Sequence, residues 1–276
     1  MSTTILLVGR GSSDKDSLKE AEMFLQHWRN MNPKTRFELC FIEFGDVLLE
    51  QGMNHAAIGA KRVIIVPLML KLDDQVKEAL SLDLVKARHQ NPKVMFYVLK
   101  HLEPNDVMLN ILKRSLNNVL ENMLAPDPKT TGVILVGKGA TDKVANSEIA
   151  KLSRWMFEET EHDLIDVAFT ETAYPRLESV VQRQVKLGMT QIAILPYYLF
   201  TDTMVKRLGQ QVERLQVQYP HITLGLGHYL GFEQEIYDLL DQKVVQFVEG
   251  TEKNMLECDG CLYLSNYQQQ KQNQFA

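Results

Sequence analysis

Few features that commit a chain to an unusual environment are present in these 276 residues. No apolar run approaches the roughly 20 residues that a membrane-spanning helix needs, so the chain is not expected to cross a bilayer. The opening Met1-Ser2-Thr3-Thr4 leads directly into Ile5–Val8, too short an apolar run and too lacking in positive charge for a secretory signal. There are only three cysteines, Cys40, Cys258 and Cys261, which is no disulfide framework and suits the reducing cytoplasm. Basic excess is missing too. The formal charge is −5, and no Lys/Arg-rich block or aromatic-studded basic stripe occurs, so neither nucleic acid nor an anionic membrane is expected as a partner. An anionic ligand must therefore be held by local donors.

What is present is a repeat. Residues 5–14 read ILLVGRGSSD, and residues 133–142 read VILVGKGATD, a displacement of 128. Phe41-Ile42-Glu43 is answered by Phe169-Thr170-Glu171, Gly59 and VIIVPLML by Gly188 and IAILPYYL, and Val76-Lys77 by Val205-Lys206. Spacing kept over so many landmarks marks an internal duplication.

Each copy alternates short β-branched runs with amphipathic stretches, the pattern of a parallel sheet built from βαβ units. Strands are expected near 4–9, 36–43, 62–68 and 93–99, and again near 132–137, 164–170, 190–197 and 222–228. Helices are expected near 15–31, 47–59, 75–90 and 104–124, then 143–160, 175–187, 203–218 and 232–248. The fold class is α/β: two tandem flavodoxin-like units, each a four-stranded parallel sheet flanked by helices, with a cleft between them. The expected domains are 1–124 and 132–250, joined by a proline-bearing linker over 125–131 and followed by a tail over 251–276. Ligands of open α/β sheets bind outside the carboxyl ends of the strands. The loops at 9–14, 43–47, 68–75 and 99–104 and their counterparts are thus the candidate site.

Taken in order, GRGSSD, FIEF, VPLML with VK, HL after the fourth strand, GKGATDKVANSE, LPYYLFT and the ECDGCLY tail resemble the long, two-domain sirohydrochlorin chelatases of the CbiX type. The resemblance covers nearly the whole chain. It implies a class II chelatase fold and insertion of Co2+ or Fe2+, as substrate metal, into the tetrapyrrole sirohydrochlorin, with no organic cofactor. A carrier or regulatory relative that binds the tetrapyrrole without catalysis is the alternative.

Such a reaction exchanges a pair of pyrrole N–H protons for a divalent cation, and the macrocycle carries a rim of carboxylates. Gly9, Arg10, Gly11, Ser12 and Ser13, repeated as Gly137, Lys138, Gly139 and Thr141, stand between a strand and a helix start. Backbone N–H groups there suit carboxylates, and Arg10 and Lys138 add a charge in each copy. The plainer reading is a tight turn capped by Ser or Thr. Neither loop completes GxGxxG, which disfavours a dinucleotide. The resemblance implies a histidine between the first pair of glycines and another at the start of the third helix; Arg10 and Gln75 occupy those positions here, and Lys138 and Met204 the matching ones. Arginine cannot ligate a metal, because it does not lose its proton.

Carboxylates remain. Glu43 closes the second strand, where the resemblance implies a glutamate near the metal, and Glu171 repeats it; an acid ending a buried strand is poorly explained by packing. Both are candidate catalytic residues, Glu43 also a metal ligand. His101 and its counterpart His228 follow the fourth strands, which makes His101 a candidate for substrate or metal contact. Asp73 and Asp74 read as a solvated helix cap or a hard-cation site. Tyr197, Tyr198 and Phe200 offer either a flat platform or core packing. Cys258 and Cys261 form one CxxC, two of the roughly four ligands of a metal or iron–sulfur site, or a redox pair. An internally duplicated chain can act as a monomer or a homodimer.

Overall fold

A computed structural model describes residues 2–250; Cys258 and Cys261 lie outside the described residues. The first repeat supplies β1 (Thr3–Gly9), α1 (Lys15–Met31), β2 (Arg36–Phe41), α2 (Leu49–Ala57), β3 (Arg62–Pro67), α3 (Asp74–Gln90), β4 (Met95–Val98) and α4 (Asp106–Glu121). The second supplies β5 (Thr131–Gly137), α5 (Lys143–Glu159), β6 (Ile165–Phe169), α6 (Leu177–Lys186), β7 (Gln191–Pro196), α7 (Thr203–Gln218), β8 (Thr223–Leu226) and α8 (Gln234–Glu249). No helix among the described residues is long and apolar enough to cross a membrane.

The strands form two four-stranded, all-parallel sheets, ordered β2-β1-β3-β4 and β6-β5-β7-β8. Their central strands are apolar beyond their first residues because both faces are covered. In the first sheet Leu6, Val8, Val63 and Ile65 face α2 and α3, and pack on Met53, Leu80 and Leu84. In the second, Ile134, Val136, Ile192 and Ile194 face α6 and α7. Helix starts are fixed by Asp14, Asp73, Asn105, Asp142 and Asp202, whose side chains each accept a first-turn N–H.

The compact units do not coincide with the repeats. Among the described residues, one comprises 2–102 together with 236–250; the other is Glu103–Glu235. Compactness groups the helices differently from the chain order of the repeats: α4, the last helix of the first repeat, lies in the second unit, α8 lies in the first, and β5 starts at Thr131. In the first unit α8 covers α1. Tyr237 stacks on Phe24 at 4.3 Å, and Trp28 Nε1 donates to Asp241 Oδ1 at 2.7 Å. In the second unit α4 packs on β7, β8 and α5. Gly225 in β8 makes room for it: a Cβ there would come within 2.5 Å of Val119 and Met123. The physical reason is that an amphipathic stripe specifies a buried face without specifying which sheet buries it.

Candidate functional site

In the first unit, the order β2-β1-β3-β4 sends the chain from β1 to one side and returns it through β3 to the other. The crevice between the carboxyl ends of β1 and β3 is the switch point at which such sheets bind ligands. Three loops meet there. Ile42 N–H donates to Gly9 O and Glu43 N–H to Arg10 O, both at 3.0 Å, so the loop after β2 continues the pairing of the sheet. This contact needs glycine. Gly11 lies at φ +90°, and a Cβ there would sit 1.5 Å from Glu43 O.

That backbone contact sets the side chains. Arg10 Nε donates to Glu43 Oε1 at 3.3 Å, and Arg10 Nη1 to Asp73 Oδ2 at 2.6 Å. Asp73 Oδ1 also accepts from Val76 N–H at 3.1 Å, capping α3. One guanidinium thus bridges the loops on both sides of the switch point. Burial by itself lowers the Arg10 pKa, but the hydrogen bonds and charges of Asp73 and then Glu43 outweigh it and raise it. For Asp73, burial by itself raises the pKa, and the hydrogen bonds from Arg10 and Val76 with the charges of Arg10 and Lys71 bring it below the usual carboxylate range.

The second unit repeats the backbone and loosens the charge contact. Thr170 N–H donates to Gly137 O at 3.0 Å and Glu171 N–H to Lys138 O at 2.9 Å, while Gly139 stands at φ +83°. Lys138 Nζ lies 3.7 Å from Glu171 Oε2. Asp202, the counterpart of Asp73, caps α7 through Met204 and Val205 N–H. An ammonium lacks the fork with which a guanidinium engages two carboxylates at once.

The structure brings together Gly9, Arg10, Gly11 and Glu43, and separately Gly137, Lys138, Gly139 and Glu171. Ser12 and Ser13 fall on either side: Ser12 Oγ accepts from Asp14 N–H at 3.0 Å, as a turn residue, and Ser13 is exposed. Thr141 is exposed just before the Asp142 cap, and Gln75 is exposed in the first turn of α3. His101 is buried and His228 exposed, so the two are not equivalent. The His101 carbonyl accepts from Lys243 Nζ on α8 at 3.0 Å. Tyr197 and Tyr198 are buried, which makes them core, although Tyr198 OH lies 2.5 Å from Thr170 Oγ1. Burial pushes the phenols of both tyrosines up. Among the described residues no three His, Cys, Asp or Glu converge as a metal site. Sequence reasoning took Asp73 for a cap and missed its bond to Arg10. The signal was there in the match of Asp73 to Asp202, one acid repeated at each third-helix start.

Comparison with known proteins decides the relationship. The CbiX family model matches residues 4–119 and, a second time, residues 132–247. The chain belongs to the CbiX family. It is 30% identical over 261 residues to a sirohydrochlorin cobaltochelatase of Priestia megaterium, covering 94% of this chain and 84% of that protein. It is 21% identical over 266 residues to a sirohydrochlorin ferrochelatase of Bacillus subtilis (strain 168), covering 96% and 99%. Among solved structures it matches SirB from Bacillus subtilis with Fe3+ at a TM-score of 0.75 and 22% identity, over 89% of this chain and 95% of that one.

The two matched spans coincide with the two repeats and so confirm the tandem CbiX architecture. Within it, each unit of this CbiX protein sets a cation against a carboxylate at the end of its second strand. An arrangement of this kind binds anions through the cation, and binds protons or a metal through the carboxylate once the cation is drawn away.

Proposed function

We propose that this CbiX protein inserts Co2+ or Fe2+ into sirohydrochlorin, as in cobalamin or siroheme biosynthesis. The observation that carries the reading is the Arg10–Glu43–Asp73 cluster at the switch point of a CbiX unit. A carboxylate on the macrocycle rim competes for the Arg10 guanidinium. Once Arg10 turns to the substrate, Glu43 and Asp73 lose their counter-charge and become acceptors for the metal and for protons leaving the pyrroles. Carboxylates suit both tasks, since they ligate first-row divalent ions and take up protons. Glu43, with a half-exposed side chain, is the better placed to reach a ligand; Asp73 stays tied to its helix cap. Glu171 and Lys138 repeat the pairing in the second unit.

A second reading has its own support. The described residues hold no three-ligand metal group, and an arginine fills the space between Glu43 and Asp73. On that reading the protein carries the tetrapyrrole without metallating it. Anaerobic absorbance separates the two. Sirohydrochlorin is mixed with the protein, then with Co2+ or Fe2+. Macrocycle binding with accelerated insertion supports the chelatase, and binding with unaccelerated insertion supports the carrier. Absence of binding refutes both. We further propose a cytoplasmic protein, monomeric or homodimeric, with Cys258 and Cys261 as a metal or redox pair; the buried free thiol of Cys40 supports the reducing compartment.

A further inference from the structure

The two units differ where their third helices meet their second. In the first unit, α2 packs along α3, and the seam is crossed by Lys86 Nζ to Glu50 Oε2 at 3.4 Å and Asn91 Nδ2 to Asn54 Oδ1 at 2.7 Å. In the second unit α6 and α7 are not closely packed, and a cavity of about 430 Å³ opens between them. It starts at Thr170 and Glu171, at the end of β6, and runs along α7 past Arg207, Gln211 and Arg214.

Its lining carries the carboxylates of Glu171 and Glu178 and the guanidiniums of Arg207 and Arg214. Glu171 is paired with Lys138, and Glu178 on α6 accepts a hydrogen bond from Gln211 Nε2. Arg207 and Arg214 have no ion pair or hydrogen bond among the described residues. They are seven residues apart on one helix, hence on one face and about 10 Å apart along the axis. The matching positions of the first repeat hold Glu78 and Val85, so the cations occur in one copy alone. Two unengaged guanidiniums in a concave groove leading from the strand end make a receptor for a ligand with several carboxylates.

We propose that the α6–α7 groove is a subsite for the peripheral carboxylates of the macrocycle, with Arg207 and Arg214 as their partners. This rests on the reading of sirohydrochlorin as substrate. The groove fixes the orientation of the macrocycle through its rim and takes no part in the metal chemistry.

The test is an anaerobic titration of sirohydrochlorin into the full chain, the Arg207→Ala and Arg214→Ala variants, their double variant and the Arg→Lys pair. Both side chains are exposed and without partners among the described residues, so melting temperatures are expected to stay unchanged. Each single variant should weaken binding about threefold and the double variant about tenfold, the range of partly exposed ion pairs. The Arg→Lys pair should recover part of the loss, and added salt should shrink the difference. The methyl-esterified macrocycle, which has lost its anionic charge, should bind wild type and double variant alike. Equal affinity of wild type and double variant for the free acid overturns the groove and leaves the chelatase reading standing. If wild type does not bind sirohydrochlorin at all, the substrate reading falls and the groove assignment falls with it.

Discussion

Replacing Arg10 by methionine removes the cation between Glu43 and Asp73 while keeping much of the side chain's apolar bulk. The cost follows from exposure. The Asp73 side chain is 11% exposed and that of Arg10 32%, so the pair lies between a surface bridge and a buried one. Exposed pairs contribute about 0–1 kcal/mol, and losing one partner of a fully buried pair costs about 3–5 kcal/mol. Asp73 keeps its bond from Val76 N–H, and Glu43 at 44% exposure can return to water, so we expect a loss of about 2 kcal/mol at neutral pH. The pH dependence fixes the cause. The folded-state pKa of Asp73 lies below its unfolded value of about 3.9, so its contribution is complete above that value and disappears as pH falls through the folded one. The gap between wild type and Arg10→Met should therefore be full at pH 7 and close in acid. Urea unfolding in a Trp155→Phe background, where Trp28 reports on the first unit, measures it. Equal stabilities at pH 7, or a gap undiminished near pH 3, would refute the reasoning.

Gly11→Ala should cost more than a surface change, about 1–3 kcal/mol. The left-handed backbone disfavours a Cβ, and the Cβ would strike Glu43 O, so anion binding should fail with the loop. Calorimetry and substrate titration check both effects, and an unperturbed variant would contradict the loop contact. Asp241→Ala removes the acceptor of Trp28 Nε1 and Asn32 Nδ2, and should destabilise by about 1–3 kcal/mol. The loss should appear in the transition reported by Trp28, although Asp241 belongs to the second repeat. A loss confined to Glu103–Glu235 would contradict the helix exchange. Arg10→His with Gln75→His supplies imidazoles on either side of Glu43 in sequence and should raise the rate of metal insertion. An unchanged rate would mean that the site is mapped to the wrong loops.

The fold was legible because its signals are local. The apolar runs of β1, β3, β5 and β7 and the Asp caps of α1, α3, α5 and α7 lie within a few residues of the elements they define. The duplication then let each copy check the other. The exchange of α4 and α8 was not legible, since Leu112 or Tyr237 is an apolar helix residue whichever sheet it covers. Gly225 in β8 and Gly227 just after it were the one hint that a helix comes unusually close. The site was legible as a set of loops but not as a bonding pattern. Arg10, Glu43 and Asp73 are far apart in sequence, and each looked complete as a turn, a strand end or a cap. His101 and His228, matched in spacing, diverge in burial, and the His101 carbonyl accepts from Lys243 on α8, a contact between distant parts of the chain. The α6–α7 groove depends on how closely two helices pack, and periodicity carries no measure of that.

Metal insertion that depends on the Glu43 carboxylate can be read from initial rates of anaerobic Co2+ incorporation into sirohydrochlorin. They should be measured without protein, with wild type and with Glu43→Gln. The wild-type rate should lie well above the protein-free one, and the Glu43→Gln rate should fall by about 100-fold or more, the scale of a lost acid–base group. A wild-type rate equal to the protein-free rate, or a Glu43→Gln rate equal to wild type, would contradict insertion that depends on Glu43.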